Sequence, residues 1–471
     1  MPSLDLKQRR AGVLLHPTSL PSGKLDSDVD HWMQTLVDTG FTVWQVLPLC
    51  EPQIGLSPYT CSSTFAINPV LLSEFPDIDE NDAGFIAFCG KQQFWLDDYV
   101  LFKILKQHFN GAAWVLWPAL WKQRDPETMQ LTMQEYKHEI TELKWQQYQL
   151  YKRWQEIRHR ANAMGLLLFG DLPIFIGHDS ADVWSHPELF LLDSDGYMEV
   201  VTGVPPDYFS ETGQRWGNPH YNWNSMQEED YAWWKARIRH HLEQFDLLRI
   251  DHFRGLEAAW VIDAACETAV NGQWQKMPGD ELLSSLQEEG LPLPFIAEDL
   301  GIITPEVTAL RKKYHLPGMS ILQFGFDEFE DNPHKPQNIE EDAVVYTGTH
   351  DNDTTKGWFN SLDDHVKNYV LEALSLPYLD DPYYESIEVA DMVIETMVEN
   401  ALQSPARICI VPLQDYLHLD SSTRMNTPGT ITGNWAWRFQ WHELESHHEN
   451  NHMEKMRQRI ENANRLVKEN D

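Results

Sequence analysis

Cysteine, basic charge and long apolar runs are all scarce in this chain. Its 471 residues include five cysteines, Cys50, Cys61, Cys89, Cys266 and Cys409, with no CxxC pair among them. A scattered, odd set in a long chain is the usage of reduced thiols, not of a disulfide framework. Lys and Arg number 36 against 72 Asp and Glu, a formal charge of −36. That deficit of positive charge argues against nucleic acid and anionic membrane surfaces as partners and favours an uncharged substrate. No stretch approaches the ~18 apolar residues of a membrane span. The opening "MPSLDLKQRRAGVLLHP" has charge and a very short apolar run, without the apolar core of a secretory leader. A cytoplasmic protein is expected. No GxGxxG or GxxxxGK[ST] loop occurs, which counts against nucleotide binding.

Aromatics, by contrast, are plentiful: 12% of residues, with 19 Trp. They can fill a core or offer platforms on which sugar rings stack, and composition leaves both readings open. Eight short runs are apolar on both faces: 11–20, 41–49, 166–177, 247–256, 294–301, 319–326, 343–353 and 406–417. That is the pattern of parallel strands covered by helices. Segments with helical character lie between several of them. One of these, "TPEVTALRKKYHLPG", opens on Thr304 as a cap and Pro305 as its first helical residue. A (β/α)8 TIM barrel is therefore expected, with a doubly wound open sheet as the alternative. The count of eight favours the barrel, as do the polar residues that follow nearly every run. One catalytic domain over 1–471 is expected, with a helical insertion at about 73–150 and an aromatic loop region at about 178–230. No β-domain is expected after the barrel, and residues 442–471 look like a polar terminal helix.

The run "LLRIDHFRGL" (247–256) ends in Arg249, Asp251, His252 and Arg254. Charge is costly to bury unless paired. Side chains two apart on a strand share a face, so Arg249 and Asp251 point together into the barrel mouth. The same period places Glu298 after Ile296, and Asp351 after Thr349. Three acids then gather at the C-terminal edge, the active-site face of such barrels. Glycoside chemistry needs two carboxyls, one ionised and one with a raised pKa. A divalent metal is the competing use, but each acid has Arg or His beside it. Arg249 next to Asp251 favours its charged form, which suits a nucleophile. Glu298, in apolar "PFIAEDL", is placed to hold a proton, which suits a general acid. Asp299 faces the other way and reads as structural. Arg254 reads as half of a structural ion pair. Paired His240–His241 and the later His447, His448 and His452 read as solvated helix surface, and Trp233–Trp234 as core.

"LRIDHFRG", "AEDLG" and "GTHDND" together resemble the active-site set of the alpha-amylase clan. More specifically, "GVPPDYFSETGQRWGNPHYNW" (203–223) resembles the long loop of glycoside hydrolase family 77, the 4-alpha-glucanotransferases (amylomaltases, or disproportionating enzymes). "LLHPTSLPS", "SPYTCSSTFAINP" and "NTPGTITGNWAWR" are similar to that family too, in register to about residue 440. The resemblance implies Asp251 as nucleophile, Glu298 as acid/base and Asp351 as transition-state stabiliser. It implies sugar-binding roles for Arg249, His252, His350 and Tyr59. Tyr208, Trp216, Gly217, Asn218 and Pro219 match the loop that arches over the glucan. The implied substrates are alpha-1,4-glucans, either maltooligosaccharides or the polymers glycogen and starch, with no cofactor and no metal. Transfer to a sugar 4-hydroxyl is expected, with retention through a covalent intermediate that needs carboxyls ~5–5.5 Å apart. An alpha-glucan hydrolase and a non-catalytic glucan-binding protein are the alternatives. Oligomeric state is left open.

Overall fold

All eight apolar runs contain strands of one parallel sheet. The computed structural model describes residues 8–206, 210–381, 384, 388–449 and 451–467. In chain order its strands are β1 (Arg10–Leu14), β2 (Val43–Gln45), β3 (Leu167–Pro173), β4 (Val200–Val204), β5 (Gln214–Pro219) and β6 (Leu247–Asp251). There follow β7 (Ala258–Asp263), β8 (Gly272–Lys276), β9 (Phe295–Ala297), β10 (Gly318–Ile321), β11 (Ala343–Tyr346) and β12 (Ile408–Pro412). Eight of them are ordered β10-β11-β12-β1-β2-β3-β6-β9, every pair parallel. Ala297 N donates to Pro317 O at 2.8 Å across the remaining seam between β9 and β10. The sheet thus curls into the expected (β/α)8 barrel rather than an open sheet.

Two apolar layers follow from strands buried on both faces. Inside the barrel, Leu14, Val43, Phe169, Leu247, Ile296, Met319, Val344 and Ile408 pack together, one from each strand. Outside, Val13, Trp44, Leu168, Leu248, Phe295, Val345 and Cys409 face the helices. Trp32, Trp44, Trp154, Trp184 and Trp234 are fully buried, so much of the tryptophan is core. Trp216 and Trp274 remain exposed. The first barrel helix, Ser27–Thr39, starts where the Asp26 carboxylate accepts from Asp28 N. It stops at Gly40, whose φ of 93° favours glycine. Thr304 and Pro305 take the expected places at the start of the helix Pro305–Lys313, though the Thr304 hydroxyl does not cap it.

The helical insertion includes the helices Ala83–His108 and Pro126–Glu135. Its end is not a boundary: one helix, Lys137–Ala163, runs from the insertion straight into the barrel layer before β3. Within 178–230 the structure corrects the expected loop. Strands β4 and β5 form an antiparallel hairpin in a second sheet ordered β5-β4-β7-β8. β7 and β8, inserted between β6 and β9, have no counterpart in the sequence reading. β8, Gly272–Lys276, is polar and largely exposed and carries no apolar pattern, whereas β7 is a short apolar stretch, AAWVID, that the sequence reading did not single out. This sheet lies within the barrel's chain order, and the described residues after β12 form no further strand. The tail is two helices, Trp441–Glu449 and His452–Asn462, separated by Asn451 at φ 63°.

Candidate active site

Along the barrel interior, apolar side chains give way to polar ones toward the C-terminal edge. Val43 is followed two residues on by Gln45, Phe169 by Asp171, Leu247 by Arg249 and then Asp251, and Ile296 by Glu298. The two-residue strand period keeps each polar group inside the wall that its apolar partner lines. Asp171 and Arg249 are register partners on β3 and β6. Arg249 is the hub: Nη1 donates to Asp171 Oδ2 at 2.7 Å, and Nη2 lies 2.7 Å from Asp251 Oδ1. Tyr59 Oη donates to the same Asp171 Oδ2 at 2.8 Å. Burial lowers the proton affinity of Arg249, but Asp171 and Asp251 outweigh it and hold the guanidinium well above its ordinary range. Asp171 is completely buried, and that burial pushes its carboxyl up against the opposing pull of Arg249.

Glu298 stands just beyond β9, its N–H extending the ladder to Ile250 O at 3.1 Å. Its Oε2 accepts from His252 N at 2.6 Å. His252 is in the left-handed region at φ 51°, which turns the chain sharply after Asp251. The turn aims the His252 N–H at Glu298 and sets its ring edge-on to Trp216, centroids 4.8 Å apart at 89°. Burial pushes the Glu298 carboxyl up to about 8, with the negative Asp251 adding to the effect and Arg249 and the His252 N–H opposing it. Burial also lowers the His252 imidazole to about 4, leaving it neutral at physiological pH.

Asp351 is placed by a turn rather than by the strand period. β11 ends at Tyr346, and Asn352 Oδ1 accepts from Thr349 N at 2.8 Å to close the turn beyond it. Buried Asp415 secures that segment, accepting from Thr347 Oγ1 at 2.5 Å and from Thr355 N at 2.7 Å. Asp351 Oδ1 accepts from Asn426 Nδ2 at 2.6 Å and lies 3.4 Å from His350 Nε2. Arg424 Nη2 donates to the Asp351 carbonyl at 2.7 Å. Tyr59 stacks on His350 at 5.2 Å and 16°, and Trp435 leans against both. Tyr59 therefore links the Asp171–Arg249–Asp251 chain to the Asp351 group. Three carboxyls share one rim: one clamped to a cation, one holding a proton, one exposed among donors. This is the equipment of glycosyl transfer.

Comparison with known proteins decides the family. A family profile described as 4-alpha-glucanotransferase, glycoside hydrolase family 77, matches residues 14–75 and 73–445. The chain belongs to the 4-alpha-glucanotransferase family. A 4-alpha-glucanotransferase of Thermus thermophilus is 40% identical over 488 residues, spanning 93% of this chain and 96% of its own. One of Synechocystis sp. is 39% identical over 487 residues, spanning 92% and 94%. The solved amylomaltase of Streptococcus agalactiae in complex with acarbose superposes with a TM-score of 0.89 at 31% identity, covering 98% of this chain and 100% of that one.

In this 4-alpha-glucanotransferase the hairpin β4–β5 carries most of the family's long loop. Tyr208 lies outside the described residues. Trp216 is exposed and faces His252 and Phe175. Gly217, at φ 79°, lets the strand kink beside it. Asn218 and Pro219 are turned inward: Asn218 Nδ2 donates to Ile176 O at 2.8 Å, and buried Pro219 pairs with Val201. They fasten the hairpin to the exit of β3. Sequence reasoning missed Asp171, Asp415 and Asn426. Asp171 was detectable as the one acid within the apolar run 166–177, two residues after Phe169. Asp415 and Asn426 act across long sequence separations and leave no local signal.

Two expectations of the sequence are corrected. Among the described residues Arg254 has no acidic partner within ion-pairing distance. Its guanidinium stacks over Trp274, carbon to ring centroid 3.7 Å, and donates to Ile302 O at 2.7 Å. His240 and His241 are buried, not solvated, because the helix Ala232–Gln244 lies beneath Ala83–His108; His240 meets Gln92 at 3.3 Å and Trp95 edge-on. His447 and His452 are only partly exposed and stack at 4.0 Å beside His418 and Glu395. Asp299 pairs with Arg311 at 3.0 Å, consistent with a structural role.

Proposed function

We propose that this enzyme transfers segments of alpha-1,4-glucans by double displacement, with Asp251 as nucleophile and Glu298 as general acid and then base. The observation that carries the reading is the split environment of the two carboxyls. Asp251 is clamped by Arg249 at 2.7 Å, while burial pushes neighbouring Glu298 up to about 8. Glu298 protonates the leaving glycosidic oxygen as Asp251 attacks the anomeric carbon, giving a glucosyl ester. Glu298, now a carboxylate, takes the proton from the 4-hydroxyl of the acceptor sugar, which displaces Asp251. Asp351, oriented by Asn426, binds the ring hydroxyls of the donor and does so more strongly as the ring flattens. Arg249, His252, His350 and Tyr59 line the donor ring. The hairpin bearing Trp216 shields the glucosyl ester from water. The Streptococcus agalactiae amylomaltase, solved in complex with acarbose, supports an oligosaccharide substrate.

The substrates in this reading are maltooligosaccharides and longer glucans, and the whole chain serves as one catalytic unit with its insertions. The five free thiols support a cytoplasmic setting, and among the described residues no helix is long and apolar enough to cross a membrane. Maltotriose supplied alone tests the reaction. Transfer yields glucose plus a ladder of longer maltooligosaccharides. Shorter sugars alone would mean hydrolysis and would overturn the proposal.

A further inference from the structure

Arg254 and Trp274 take no part in the chemistry above, yet they join three segments around it. Arg254 leaves the turn after β6 and is 5% exposed. Its guanidinium supports the Trp274 ring on β8, and its Nη1 holds Ile302 O on the loop leaving Glu298. Burying the guanidinium is costly, and the nearby charge of Glu257, a π face and a carbonyl offset only part of that cost. Trp274 is held on a second side by its cross-strand partner Trp260, centroids 5.3 Å apart at 65°. Trp260 is in turn fixed by Nε1 donating to Ala269 O at 2.9 Å. Trp274 is thus a held ring that remains 36% exposed, and Ile302, whose carbonyl the same guanidinium holds, is 54% exposed. A large aromatic kept open to solvent on a polar strand is the apolar shelf on which a sugar ring stacks.

The shelf belongs to one side of the reaction. The donor ring is gathered by Asp351, Asn426, His350, Tyr59 and Trp435. The acid Glu298 is gripped by His252 N, two residues before Arg254, and Ile302 lies four residues beyond it. A general acid stands beside the leaving oxygen, so sugars past the cleaved bond lie on its flank. We infer that Trp274, positioned by Arg254, is an acceptor-side subsite that stacks against a glucose ring of a long alpha-1,4-glucan. This rests on the transfer reaction proposed above.

The test is acceptor-dependent fluoride release from an alpha-maltosyl fluoride donor, with either glucose or maltoheptaose as acceptor. The readout is the preference for maltoheptaose, as a ratio of kcat/KM values. Trp274→Ala should lower that preference about 3- to 10-fold, the worth of one aromatic contact. Trp274→Phe should recover most of it. Arg254→Lys, which keeps the charge but loses the planar stack, should lower it by raising the KM for maltoheptaose more than it changes kcat. A Trp274→Ala preference within twofold of the wild type overturns the inference. So does equal loss with both acceptors. If the unaltered enzyme shows no acceptor-dependent transfer at all, the transferase proposal fails instead, which keeps the two outcomes apart.

Discussion

Glu298 and Asp171 are both buried carboxyls pushed upward, and they differ in what they touch. Glu298 has one backbone donor and is otherwise surrounded by acids and a shared cation, so it retains a proton up to about pH 8. In the proposed mechanism only the protonated form can start the reaction. Activity that depends on the free enzyme's acid should therefore fall as pH rises through about 8. Glu298→Gln should remove that limb from the kcat/KM profile and cost about 10²- to 10⁴-fold with natural glucans. Asp171 is instead a partner of Arg249 and Tyr59. Asp171→Ala leaves the buried guanidinium short of one anion, and unfolding by denaturant should show a loss of about 3 kcal/mol. The same variant should lower kcat/KM, because Arg249 then no longer sets the position of Asp251. Stability within 0.5 kcal/mol of the wild type, as an order-of-magnitude threshold for a neutral surface change, would show that the clamp is incidental.

Among the elements, the two C-terminal helices are joined to the body by imidazoles. His447 stacks on His452 and meets His418 edge-on, with Glu395, Arg459 and Lys455 around them. Burial, then the neighbouring His452, His418 and His448, lowers His447 to about 3 in the folded protein. Its unfolded value is about 6.5. The unfolded chain then binds the proton more readily, so stability should decline as pH falls from about 6.5 toward 3. His447→Gln should flatten that part of the stability profile, as read by thermal melts from pH 7 to 4. An unchanged slope would remove His447 from the account. This packing leaves no local signal: the histidines look solvated because His418 and Glu395, which meet them, come from distant segments of the chain.

The eight barrel strands were legible in the sequence for a physical reason. Each is buried on both faces, so each reads as a short continuous apolar run. Asp251 and Glu298 were legible because they extend such runs by the two-residue period. Asp351 was recognised by type and place, but its position comes from a turn tied down by Asp415, which strand period cannot foresee. The antiparallel sheet escaped because β5 and β8 are largely exposed, and an exposed strand with Gln, Gly and Lys lacks an apolar signature. Arg254 escaped because its partner is a ring, not a carboxylate, and lies 20 positions on.

At the scale of the whole molecule, 72 acids against 36 bases give a strongly negative particle that handles an uncharged polymer. Long-range attraction has nothing to act on in a neutral glucan. Raising salt from 50 to 500 mM should therefore change kcat/KM for maltotriose by less than about twofold, even though screening falls well below 10 Å across that range. A steep salt dependence would point to a charged substrate.

In the proposed mechanism the glucan is carried on Asp251 between donor and acceptor. A glycosyl fluoride needs little help from an acid to leave, while release of the ester needs Glu298 as base. Glu298→Gln incubated with alpha-maltosyl fluoride should therefore accumulate a maltosyl adduct, and proteolysis with mass spectrometry should place it on the peptide containing Asp251. An adduct on another residue, or fluoride release with no adduct and inverted product, would contradict the mechanism.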